Sequence, residues 1–171
     1  MSESILAIKS IQSSSVGGNL ITRPANTTTY TIGDALADAT GNLHYTFPRV
    51  VGDRSKTGEI VSATMVISGT VAVGPEIDLL LFHTDVGVDA DNAPNTLTNA
   101  ELLTCVGVVT FPTGGWTTTA TDQINIVQNI ALPFNISGTR ELYGYPIMQN
   151  GYVPESAETF FCSLRIRDDR P

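Results

Sequence analysis

Basic residues are missing from the middle of this chain: between positions 59 and 139 there are eight acidic residues and no lysine or arginine. The formal charge of −8 is concentrated there, because the flanking segments are close to neutral. A protein that grips phosphates needs a stripe of cations to displace counterions, and none exists here, so nucleic acid is not an expected partner. Attraction to an anionic membrane surface fails on the same ground. No apolar run approaches the roughly 18 residues that a membrane-crossing helix needs. The opening Met1-Ser2-Glu3-Ser4 lacks the basic flank and long apolar stretch of a secretory signal. The acidic middle reads as a solvated face that aids solubility, or as a means of steering toward a basic partner.

Residues that carry chemistry are also scarce. Cys105 and Cys162 make no disulfide framework and read as free thiols in apolar strands. His44 and His83 come with no Gly-x-Ser-x-Gly elbow. Two cysteines and two histidines without ligand spacing argue against a zinc site. Asp85, Asp89, Asp91 and Asn92 offer hard oxygen ligands in one loop, but the EF-hand order of acids and glycine is absent. That loop therefore reads as acidic and solvated. Glu59, Glu76 and Asp78 contain no pair singled out for glycoside cleavage. The expectation is a protein that is not an enzyme and holds neither metal nor cofactor.

What the chain does have is strand pattern. Its 171 residues are one domain's worth, and 42% hydrophobic content is enough to bury a core. Charged residues are only 15%, while Thr, Asn, Ser and Gly are plentiful, as suits short strands with polar turns. Side chains alternate with period two along a strand. From Ile60 to Ser68, Val61, Ala63, Met65 and Ile67 take one face, with Ser62, Thr64 and Ser68 on the other. From Ile77 to Phe82, Ile77, Leu79 and Leu81 alternate with Asp78, Leu80 and Phe82. From Phe160 to Arg167, Phe160, Cys162, Leu164 and Ile166 point inward and Phe161, Ser163, Arg165 and Arg167 outward.

Further strands are expected at Thr28 to Ile32, Leu43 to Phe47, Leu103 to Phe111, Gln123 to Leu132 (ended by Pro133) and Leu142 to Met148. Pro146 lies inside the last of these and should face an edge or a bulge. Thr98-Asn99-Ala100-Glu101 has capping-box spacing, which predicts one helical turn at 99–103. Trp116, Tyr143, Tyr145 and Tyr152 read as core or subunit-interface anchors, with a sugar-stacking platform as the alternative. About eight to ten strands at sandwich-like spacing give one all-β antiparallel sandwich, jelly-roll-like, over residues 19–171.

Residues 1–18 are an apolar segment, Ser4 to Ile11, followed by Ser13-Ser14-Ser15-Val16-Gly17-Gly18, which reads as a flexible joint. The segment is either the first strand of the domain or an arm that reaches a neighbouring subunit. In the second case Ile5, Leu6, Ile8 and Ile11 are its anchors. The outward Phe161, Arg165 and Arg167 form a second candidate contact surface.

Three stretches resemble a family of tailed-bacteriophage virion proteins. The first is Ile21-Thr22-Arg23-Pro24-Ala25 running through a Thr-rich Tyr30 to Gly33-Asp34. The second is Ala90-Asp91-Asn92-Ala93-Pro94 with the helical turn after it. The third is Glu141-Leu142-Tyr143 through Gly151-Tyr152-Val153-Pro154 and Ser156-Ala157-Glu158, with the final strand to Arg167. The resemblance covers most of residues 20–168 in order, and family members often lack the apolar arm. It implies a structural protein of the virion, a capsid cement or decoration protein on the outside of the head. Its expected partners are the major capsid protein and itself, as a homotrimer. The alternative within the virion is a tail, baseplate or head-fibre sandwich that binds a host-surface glycan.

Overall fold

The structure, a computed structural model, describes residues 11–40, 44–51, 56–70, 73–87, 89–136 and 140–169. Among them are nine strands: β1 (Ile11–Thr22), β2 (Tyr45–Phe47), β3 (Thr57–Ser68), β4 (Ile77–Phe82), β5 (Cys105–Phe111), β6 (Trp116–Thr118), β7 (Asp122–Asn135), β8 (Leu142–Met148) and β9 (Thr159–Asp169). Their pairing is nested and antiparallel. β1 pairs with β9, β2 with β8, β3 with β7 and β4 with β5, as in one long hairpin. Two further pairings, β3 with β9 and β4 with β8, roll that hairpin up. The result is a five-stranded sheet, β1-β9-β3-β7-β6, facing a four-stranded sheet, β2-β8-β4-β5. This wrapping of eight strands into two sheets is a jelly roll, with β6 added at one edge.

The alternation that predicts the strands also fills the core. Ile77, Leu79 and Leu81 of β4 meet Phe160, Cys162, Leu164 and Ile166 of β9 and Met65 and Ile67 of β3, all buried. Val61 does not join them. The register of β3 slips between Ile60 and Ser62 against both neighbours, and Asn129 to Ala131 of β7 bulge opposite the slip. Asn129 and Ala131 adopt the left-handed conformation there. The bulge reverses the phase, so Ile60 is buried and Val61 is only half-buried.

Other expectations change for equally local reasons. Ser13 to Gly18 are strand residues within β1, because β9 pairs Ser13 to Gly17 with Arg167 to Ser163, and the register slips only between Gly17 and Leu20. Thr28 to Ile32 form no strand. The Asn26 side chain accepts from the Thr28 amide and the Asp34 carboxylate from Thr31, and such bonds compete with a ladder. Strand β7 continues past Pro133, which pairs with Glu59 of β3. β6 covers β7 only as far as Asn125, so the proline sits where the other edge is free of a ladder. Pro146 is placed as expected: β2 ends opposite Gly144, and the Pro146 carbonyl accepts from Leu36 on the side away from β4. The capping box forms as read, and Thr98 caps the short helix α1 (Asn99–Leu102).

Trp116 seals the edge at β6. Its indole N–H donates to the Pro75 carbonyl at 2.7 Å, and its ring covers the buried Gly74. A Cβ at position 74 would lie 2.3 Å from Trp116 Cδ1. Gly74→Ala should therefore destabilise the fold by about 1–3 kcal/mol, read as a lowered denaturation midpoint. An unchanged midpoint would mean that the indole moves aside freely.

Candidate interaction surface

The two sheets treat their outer faces differently. Behind the four-stranded sheet, Phe82, Tyr145 and Ile147 are buried in a second apolar cluster with Val86 and Ala35. The connections β4–β5, through Val86, and β1–β2, through Ala35, supply this cover, with Leu97 and Cys105 packed against it. Among the described residues no such layer covers the five-stranded sheet. On its outer face Leu20 lies opposite Phe161, Phe161 opposite Val66, and Val66 opposite Ile124. Ile126 lies one row along, opposite Thr64. Leu20 is 51% exposed, Ile126 50% and Phe161 38%, so an apolar row crosses four strands in contact with solvent.

Strand β7 reverses the usual rule to build this row. Gln123 and Asn125 are buried, while Ile124 and Ile126 face outward. Asn125 donates to the Pro112 carbonyl at 3.0 Å and so holds the turn before β6. Sequence alternation cannot say which phase faces the core; the pairing with β3 decides it. Gly17 of β1 makes room for the Phe161 ring, since a Cβ there would stand 3.0 Å from Cζ. Arg165 lies further along β9, and Arg167 forms an ion pair with Glu59 at 2.8 Å.

Phe161, Arg165 and Arg167 thus share one face, as β9 alternation predicts. Ile11 begins β1 opposite Asp169, while Ile5, Leu6 and Ile8 lie outside the described residues. Val66 falls by alternation on the face opposite Ala63, Met65 and Ile67, but Leu20, Ile124 and Ile126 were not legible as members of the face. Each reads equally well as a core residue until its cross-strand partner is known.

At one end of the sandwich a buried polar cluster unites the three sequence stretches. Arg23, at the exit of β1, donates through Nη2 to Asp91 Oδ2 at 3.0 Å and through Nε to the Tyr30 hydroxyl. The Tyr30 hydroxyl donates in turn to Asp91 Oδ1, which also accepts from the Ala37 amide at 3.2 Å. Tyr152 stacks on Tyr30 and donates to Glu158 Oε1 at 2.7 Å. The Arg23 amide donates to the Glu158 carbonyl at 3.0 Å. Burial, then the neighbouring carboxylates, push both tyrosine hydroxyls well above their ordinary range, so both stay neutral. Burial raises the Glu158 carboxyl to about 7, against the opposing pull of Tyr152 and Arg23.

The remaining candidates do not converge. Asp85 faces His44 at 3.2 Å, Asp89 binds Thr96 and Tyr145, and Asp91 belongs to Arg23, so the three acids of the loop serve separate partners. Burial holds His44 below its ordinary pKa, with Asp85 opposing, and its ring packs on Tyr143. His83 is half-buried. Tyr145 and Tyr152 are buried and Trp116 packs on the core, so these aromatics form no exposed platform. Cys105 and Cys162 are free thiols.

No protein-family model matches this chain, and no curated protein matches it. Among solved structures it is similar to a chain of the Israeli acute paralysis virus full particle heated to 63 degrees, at 11% identity and TM-score 0.37. That alignment covers 94% of this chain and 74% of the other. It is also similar to a chain of Desmodium yellow mottle tymovirus at 14% identity and TM-score 0.29, covering 94% and 82%. Both likenesses are too loose to speak for role.

Proposed function

We propose that this protein is a structural protein of a virion: a cement or decoration protein that binds the outside of a tailed-phage head and stabilises the shell. The apolar row Leu20–Phe161–Val66–Ile124 carries this reading. A jelly roll that covers the back of one sheet with its own loops and leaves the other bare offers the bare face to another protein. The resemblance of the three stretches to phage virion proteins names the kind of protein. The bare face meets the major capsid protein or a neighbouring copy in a homotrimer, with Arg165 and Arg167 at its polar rim. Repetition over a shell makes such modest contacts strong, because each further contact within an assembly is intramolecular. The acidic middle of the chain keeps particles apart in solution.

The test is to mix purified protein with expanded heads that lack it. Saturable binding of many copies at micromolar concentration is expected, together with raised resistance of the heads to heat and chelator. Heads that bind no protein at that concentration would overturn the proposal.

A further inference from the structure

The polar cluster holds one cation and two buried acids. Asp91 takes Nη2 of the Arg23 guanidinium directly and Nε through the Tyr30 hydroxyl. Glu158 is 1% exposed and has a single side-chain donor, Tyr152. Its Oε2 and Arg23 Nη1 are both buried without a hydrogen-bond partner among the described residues. A carboxylate in such a place is costly unless it is neutralised. The groups that face Glu158 are Tyr152 and Glu155 on its own segment and Arg23 from the end of β1, with Tyr30 and Asp91 joined through Arg23.

The same segment is tied down at several points. The Tyr30 amide donates to the Tyr152 carbonyl at 2.9 Å, Thr70 to Glu155 Oε1 at 3.1 Å, and Thr159 to Ser68 Oγ at 2.8 Å. We propose that Glu158 is a proton-operated latch: protonated, it seals the connection between β8 and β9 onto the end of β1; ionised, it competes with Asp91 for Arg23 and loosens that connection. The sign follows from burial. The folded protein keeps the proton from the ordinary 4.5 up to about 7, where the unfolded chain has lost it. Folding therefore binds protons in that window, and stability falls as pH rises through it.

Glu158→Gln mimics the protonated form. Denaturation of wild type and variant from about pH 5 to about pH 8.5 should converge at the acid end. At the alkaline end wild type should become weaker, by up to roughly a hundredfold in the unfolding constant. Comparing the two chains removes the contribution of all other acids. Parallel curves would overturn the latch. Carbon NMR of the Glu158 carboxyl in the wild-type protein provides a second reading that needs no variant. A titration midpoint near neutrality is expected, and one in the ordinary carboxylate range would overturn the proposal.

Discussion

Arg23→Met should cost about 3–5 kcal/mol of stability, because it leaves buried Asp91 without its cation. For a chain of this length that corresponds to a fall in thermal midpoint on the order of 10 °C. The methylene stem is replaced closely in volume, so the loss comes from charge and hydrogen bonding rather than packing. Asp91 is the acid most exposed to the change: it loses its 3.0 Å ion pair outright. Adding Asp91→Asn to Arg23→Met should recover part of the loss, since the buried charge goes with its partner. The check is a double-mutant cycle by chemical denaturation. A double variant as weak as the sum of the two singles would show that Arg23 and Asp91 act independently.

Phe161→Glu should abolish most shell or subunit binding while hardly changing the fold. The ring is already 38% exposed and lies at the centre of the apolar row, between Leu20 and Val66. A charge in the desolvated centre of an interface removes an anchor and adds an unpaired ion, so binding should weaken by about 30-fold or more. Ile126→Glu should act in the same direction from the next row. Leu103→Glu is the control: Leu103 is 86% exposed but lies after α1, away from this sheet. Binding to heads and self-association by sedimentation decide the matter. A Phe161→Glu protein that binds like wild type would place the contact elsewhere on the molecule.

The all-β sandwich was legible because alternation is a local property. β4 and β9 show it cleanly, and the helical turn announces itself through Thr98 and Glu101. Partnership between strands is not local, and there the reading stops. Ser13 to Gly18 look like a joint until β9 pairs with them, when tertiary context overrides a weak propensity. A single slip at Ile60 exchanges Val61 for its neighbour in the core, and nothing in the composition of β3 marks the slip. Half of the candidate surface is visible in β9 alone. The other half depends on β7 presenting isoleucines outward and amides inward, against the usual pattern. The Arg23 cluster was present as three separate motifs, each readable only as turn chemistry. Their meeting is a consequence of topology, which brings β1's exit, the β4–β5 connection and the β8–β9 connection to one end.

The nested order of pairing also sets a timetable for the newborn chain. Of the nine strands described, β1 is made before the others, yet its ladder partner is β9, the last of them. Until β9 has been made, β1 lacks its ladder partner. Closure of the outermost pair then draws together segments separated by nearly the whole sequence, which is slow for entropic reasons. The sandwich is therefore most in need of shelter in the interval before β9 has been made.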